Sequence, residues 1–187
     1  GGYKHKTIEL FFKKKYKKFS DCEIKVLNTG LKTLTGTRIL KAKKFINEKN
    51  FMVTYGDGLA DINLKKLLKF HLKNKLIATI TGVRPPARFG ELILKKNKVY
   101  RFDEKIQLYN NWINGGFFVF KKEFLNYIPK KENVMLETKP IQNLLKIKNL
   151  GCYRHNSFWQ CVDNRRDLLT IKKLIKENRA PWLKQKI

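Results

Sequence analysis

The sequence predicts an α/β layer fold with a mostly parallel sheet, on three observations. Short apolar runs rich in β-branched residues alternate with longer stretches patterned at helical spacing. Turn-forming clusters separate them, and no internal repeat or linker-like stretch interrupts the alternation. Strands that alternate with helices pair through crossover connections, which makes neighbouring strands parallel. Hydrophobic residues are 42% of the 187, with 13 Phe and 3 Trp, enough for a buried core. A length of 187 residues suits one domain over residues 1–187.

The elements follow in order. "GGYKHKTIELFF" opens without methionine and takes helical spacing almost at once. Gly-Gly before a helix reads as the turn after a strand, so a first strand is expected upstream and the chain is expected to be a fragment. "FFKKKYKKF" (11–19) reads as an amphipathic helix with a solvated face. "CEIKVLN" (22–28) reads as a strand, "GTRILKAKKFIN" (36–47) as a helix with Leu40, Phe45 and Ile46 apolar, and "FMVTY" (51–55) as a buried strand. In "DINLKKLLKFHLKNK" (61–75), Asp61 is placed as N-cap and Leu64, Leu67, Leu68 and Leu72 form the apolar face. "LIATITGV" (76–83) is a further buried strand, "ELILKKNKVYRFDEK" (91–105) a hairpin, and "GGFFVF" (115–120) another strand. Helices are predicted in "KEFLNYI", "IQNLLKIKN" and "RRDLLTIKKLIKEN", with "CYRHNSFWQCVD" (152–163) extended.

Lys and Arg total 42 against 15 Asp and Glu, a formal charge of +27. That invites a nucleic-acid or membrane-surface reading. Lysines are spread over nearly every segment, and no base-reading or stacking motif accompanies them, so a basic nucleic-acid-binding domain is the lesser reading. Cys22, Cys152 and Cys161 contain no CxxC pair and cannot all be bridged, which fits a reducing cytoplasm. With His155 they could suggest zinc; buried thiols and a hydrogen-bonded histidine are the reading adopted. No apolar run reaches the ~20 residues of a membrane span.

In open α/β sheets, ligands collect at the carboxyl ends of strands. "YGDG" (55–58) falls there. Asp57 can be a plain turn acid. Alternatively, Gly56 and Gly58 let backbone approach a ligand while Asp57 takes a hard cation, magnesium on phosphates.

Other segments stand in order after "TYGDGLADI": "RPPARFGEL" (84–92), "FDEK" (102–105), "WINGGFFVF" (112–120), "YRHNSFWQCVDNRRD" (153–167) and "APW" (180–182), with "TGLKTLTGTR" (29–38) before it. Together they resemble the sugar-1-phosphate nucleotidylyltransferases, most closely the glucose-1-phosphate cytidylyltransferases, along nearly the whole chain. The resemblance implies a Rossmann-like nucleotide-diphospho-sugar transferase fold. It implies CTP and α-D-glucose 1-phosphate as substrates, CDP-glucose and pyrophosphate as products, and a place in cell-surface polysaccharide synthesis, O-antigen included. A cytoplasmic homo-oligomer is implied too. The nucleophile is already a phosphate anion, so positioning and charge neutralisation carry the reaction without a general base.

By the same resemblance, Asp57 and Asp163 hold magnesium, two carboxylates from distant parts of the chain. Asp163 also suits an N-cap ahead of "NRRDLLTIKKL". Lys105 is implied on the sugar phosphate and Glu104 on hexose hydroxyls; without the resemblance both read as surface charges of a hairpin. Gly90, Asn114 and Gly115 are implied in the hexose pocket, and Gly36 near the cytosine. Three positions depart from the family pattern: Ile106 replaces a proline, Cys161-Val162 a proline-containing pair, and "MLETKP" (135–140) lacks a tryptophan before Glu137. The family's N-terminal glycine-rich loop and its lysine are absent from these residues. Other readings are another sugar-1-phosphate nucleotidylyltransferase using UTP, dTTP or GTP, or a sugar-phosphate-binding fragment without turnover.

Overall fold

The computed structural model describes residues 1–15, 22–85, 91–103 and 112–184. They group into two compact units, Gly1–Phe51 with Lys121–Asn149, and Met52–Phe120 with Leu150–Ile187.

The first unit carries helices α1 (His5–Lys15), α2 (Thr35–Lys41) and α4 (Lys139–Lys146). Its buried side chains include Phe124, Leu125, Ile128, Val134, Leu136, Ile141 and Leu144. Pro140 sits in the first turn of α4, where its missing N–H and fixed φ cost nothing. Two threonines tie α2 to residues 134–136: Thr35 Oγ1 accepts from Leu136 N at 2.8 Å and Thr37 Oγ1 from Val134 N at 2.9 Å. Thr35 Oγ1 also reaches Glu137 Oε2 at 3.4 Å.

Three readings of this unit change. Residues 22–28 form no strand. Around them Gly1 N donates to Leu27 O at 2.6 Å and Thr29 N to Gly1 O at 2.9 Å; a single residue offers no ladder to pair with. The helix predicted over 36–47 ends at Lys41, followed by a 3-10 turn Lys43–Phe45 with Phe45 exposed. "KEFLNYI" forms a 3-10 helix, Lys122–Tyr127.

The second unit holds a four-stranded sheet in the order β1-β6-β3-β7, where β1 is Asn50–Thr54, β3 Ala78–Val83, β6 Ile113–Lys121 and β7 Leu150–His155. The sheet is mixed: β3 pairs in parallel with β7 and antiparallel with β6. Being central, β3 is buried on both faces, which is why its sequence reads as a nearly unbroken apolar run. Helix α3 (Leu64–Asn74) packs on β3 and β7. Leu67 is buried with Ile62 and Val119, and His71, fully enclosed, places Nδ1 2.9 Å from Thr79 Oγ1. Of the leucines predicted on its apolar face, Leu64 and Leu72 are exposed.

Strands β4 (Glu91–Lys95) and β5 (Lys98–Asp103) form the expected hairpin, turning at Lys96-Asn97 with Lys96 at φ 54. A second ribbon was not predicted: β2 (Gly58–Ala60) pairs antiparallel with β8 (Trp159–Cys161). Helix α5 (Arg165–Lys176) follows it, and the ring of Trp182 stacks on Phe158 with centroids 5.0 Å apart. Cys22 and Cys152 are exposed and Cys161 half-buried, which corrects the expectation of buried thiols; all three are free. Among the described residues, no helix is long and apolar enough to cross a membrane.

Candidate metal and substrate site

The β2–β8 ribbon joins two segments about a hundred residues apart in the chain. Its register sets Gly58 against Cys161, Leu59 against Gln160 and Ala60 against Trp159. One step beyond, Val162 N donates to Asp57 O at 2.9 Å, so the pairing continues to the two acids. As a result, Asp57, Cys161 and Asp163 each present a ligand atom within 4.8 Å of the others. Both aspartates are exposed. A hard divalent cation such as magnesium fits the two carboxylates, with water completing its shell. A thiol is not a donor that magnesium takes. Cys161 instead turns its S–H to Asp163 Oδ1, with Sγ 3.0 Å away, and so helps fix that carboxylate.

Neither acid of the two "D" motifs caps a helix as expected. Asn63 caps α3, its Oδ1 accepting from Lys66 N at 2.8 Å. Asp61 is still extended in the ribbon, where its N donates to Phe158 O at 3.3 Å, so it lies too early to cap. Its carboxylate accepts from Ser157 Oγ at 2.5 Å and approaches His155 Nε2 at 3.0 Å. His155 Nε2 makes its aligned hydrogen bond to Phe158 O, also at 3.0 Å. Asn164 likewise caps α5, accepting from Asp167 N at 3.0 Å, while Asp167 Oδ2 accepts from Asp163 N at 3.2 Å. The cap reading of Asp163 is corrected, since Asn164 holds that place.

The glycines divide by cause. A Cβ at Gly56 would meet nothing within 4 Å, so packing does not demand glycine beside Asp57. A Cβ at Gly115 would stand 2.6 Å from Val83 Cγ1 and 3.0 Å from Thr81 O, a close approach that only glycine permits. Gly115 O accepts from Trp159 Nε1 at 2.8 Å, which links β6 to the ribbon. Asn114 folds its Oδ1 onto Gly116 N at 2.9 Å and directs Nδ2 to Tyr55 OH at 3.4 Å, next to the "YGDG" turn. In the first unit, a Cβ at Gly36 would lie 3.0 Å from Val134 O, so its lack of a side chain has a packing cause. Gly90, Glu104 and Lys105, and Ile106 with them, lie outside the described residues.

A cleft of about 490 Å³ opens beside the ribbon, lined by Arg84 and residues 155–160. The sequence reading missed this wall, the Asp61–Ser157 tether and the Trp159–Gly115 bond. The order of "TYGDGLADI" and "YRHNSFWQCVD" was the signal that could have led to them, because two motifs that serve one site must meet.

Residues 4–178 match the Nucleotidyl transferase family. A Bacillus subtilis protein named "Probable glucose-1-phosphate cytidylyltransferase" is 40% identical over 160 residues, 86% of this chain and 63% of that protein. The glucose-1-phosphate cytidylyltransferase of Salmonella typhimurium is 32% identical over 168 residues, 89% of this chain and 65% of that protein. The chain thus spans less than two thirds of the length of these relatives. Among solved structures, HddC from Yersinia pseudotuberculosis superposes with TM-score 0.65 at 20% identity, covering 93% of this chain and 76% of that one. The inositol-1-phosphate CTP transferase from T. maritima gives 0.54 at 14%, covering 79% and 63%. These two likenesses speak for the fold alone. With a family match that spans both aspartates of the ribbon, the chain belongs to the nucleotidyl transferase family.

Proposed function

We propose that the protein carrying this chain transfers a cytidylyl group from CTP to α-D-glucose 1-phosphate, giving CDP-glucose and pyrophosphate, with residues 1–187 working as one nucleotidyltransferase domain. The observation that carries the reading is the convergence of Asp57 and Asp163 on the β2–β8 ribbon within a chain of this family. The two motifs "WINGGFF" and "FWQ", and the names of the two relatives, favour cytidylyl over other nucleotidyl groups.

In this reading the sugar phosphate oxygen attacks the α-phosphorus in line and pyrophosphate leaves. Bound magnesium supplies charge neutralisation on the nucleotide phosphates. Asp57 and Asp163 would hold the cation, and the Cys161 thiol, donating to Asp163 Oδ1, helps fix that carboxylate. Gly56 leaves room for the nucleotide phosphates beside Asp57. Asn114 and Gly115 line the hexose side, together with Gly90; Glu104 takes hexose hydroxyls and Lys105 the sugar phosphate.

The test is product formation from CTP, glucose 1-phosphate and Mg²⁺, read by mass spectrometry. CDP-glucose is expected, with much slower formation of the corresponding products from UTP, dTTP or GTP. Asp57→Asn and Asp163→Asn should each abolish most turnover while the fold persists. Wild-type rates in both variants would overturn the site, and a preference for another nucleotide would overturn the cytidylyl assignment.

A further inference from the structure

Of the three donor groups that meet at the β2–β8 ribbon, the thiol is the one that magnesium does not coordinate. It also sits where the chain departs from its family's pattern, which has a proline-containing pair in place of Cys161-Val162. Cys161 stands opposite Gly58, the neighbour of Asp57, and its Sγ is 3.0 Å from Asp163 Oδ1. One sulfur and two carboxylate oxygens, drawn from two distant segments, thus lie within 4.8 Å of one another.

Donor type decides which ion such a set prefers. Magnesium takes oxygens, demands a near-octahedral shell and gives up its waters reluctantly. Zinc and cobalt(II) accept thiolate, imidazole and carboxylate together in a tetrahedron, with Zn–S about 2.3 Å and Zn–O about 2.0–2.2 Å. Those lengths set neighbouring ligand atoms about 3.4–3.6 Å apart, so the three atoms here close on one ion by shifts of about 1 Å. Both aspartates are exposed, and rotation of their side chains supplies such shifts without disturbing the core. On coordination the thiol gives its proton to solvent, as ligating thiols do, and the shared ion takes the place of the S–H hydrogen bond to Asp163. Three protein ligands leave a tetrahedral ion a single open position. That is too few to bridge the phosphates of a nucleotide.

We propose that Asp57, Cys161 and Asp163 form a site for a thiophilic divalent cation of the zinc class, bound through one thiolate and two carboxylates, which shuts magnesium out of the two acids and stops turnover. The exclusion rests on the magnesium reading above, whereas the three-ligand site rests on the geometry of the ribbon.

Co²⁺ is the probe, because a cobalt–thiolate bond gives a near-ultraviolet charge-transfer absorption that carboxylate ligands do not. Cys22 and Cys152 are exposed, so both are first changed to serine. In that background Co²⁺ should bind with the thiolate band, Cys161→Ser should remove the band, and Asp57→Asn should weaken Co²⁺ binding about tenfold or more. Cys161→Ser should also raise the Kd for Zn²⁺ at least about tenfold more than that for Mn²⁺, an ion that favours oxygen. A second measurement needs no variant: in the unsubstituted protein, Zn²⁺ should protect Cys161 from iodoacetamide, read by mass spectrometry, and Mg²⁺ should not. A band that survives Cys161→Ser, no band at saturating Co²⁺, or alkylation of Cys161 that Zn²⁺ does not slow overturns the site. In the assay for CDP-glucose, Zn²⁺ should inhibit and added Mg²⁺ should relieve the inhibition. Zn²⁺ bound through Cys161 with turnover unchanged would overturn the exclusion and count against magnesium on the two acids, while the zinc site would stand.

Discussion

Removing the carboxylate of Asp61 separates two roles that a sequence motif confuses. Asp61 accepts from Ser157 Oγ at 2.5 Å and stands 3.0 Å from His155 Nε2, with its side chain 20% exposed and that of His155 8%. A hydrogen bond to a charged group contributes about 1.5–3 kcal/mol. For a chain of this size 1 kcal/mol moves Tm by about 2–4 °C, so Asp61→Ala should lower Tm by roughly 3–12 °C. Asn63→Ala removes the true cap of α3, worth about 0.5–2 kcal/mol, or roughly 1–8 °C. These ranges overlap, and Tm alone cannot tell them apart. A double-mutant cycle can. Asp61→Ala and Ser157→Ala should couple by about 0.5–3 kcal/mol in chemical unfolding, as residues in direct contact do. Asp61→Ala should also weaken Mn²⁺ binding, because the tether steadies the ribbon that carries Asp57 and Asp163, whereas Asn63→Ala should leave it unchanged. Coupling below about 0.3 kcal/mol, the scatter seen for independent sites, would refute the tether.

Two further outcomes follow from the site. Gly115→Ala should cost about 1–3 kcal/mol, because the new Cβ meets the buried Val83 side chain at 2.6 Å and the Thr81 carbonyl at 3.0 Å; calorimetric melting measures it. Gly56→Ala, facing open space, should leave Tm within about 1–2 °C and slow turnover, a split that a purely structural turn glycine would not give. Manganese should partly replace magnesium in steady-state assays, and calcium should bind without supporting normal rates, since its larger and looser shell does not hold phosphates in line. Equal rates with calcium would show that the cation is not positioned as proposed.

Much of the fold was legible because burial on both faces leaves a plain trace. β3, β6 and α3 are long enough for their apolar periods to show. β2 and β8 are three residues each, and no period can be read in "GLA" or "WQC". The segment 22–28 has the composition of a strand, yet its neighbourhood offers only Gly1 as a backbone partner among the described residues, and composition cannot report a missing neighbour. For the site, the motifs pointed to Asp57 and Asp163, and the ribbon brings them together. The same motifs misplaced both caps by one or two residues. Which acid caps a helix depends on where the backbone turns helical, and residue 61 is still engaged in the ribbon. Cys152 and Cys161 were expected inside because free thiols usually are; the edge position of β7 and the two-stranded ribbon leave them accessible.

The most direct measurement is Mn²⁺ titration followed by electron paramagnetic resonance on the wild type, Asp57→Asn, Asp163→Asn and the double variant, at fixed protein concentration. One site shared by both carboxylates should appear in the wild type, each single substitution should weaken it by tenfold or more, about the loss of one charged contact, and the double variant should be little worse than either single one, because half a site already fails to hold the ion. Wild-type affinity in either single variant, or losses that simply add, would mean that Asp57 and Asp163 do not hold one metal between them.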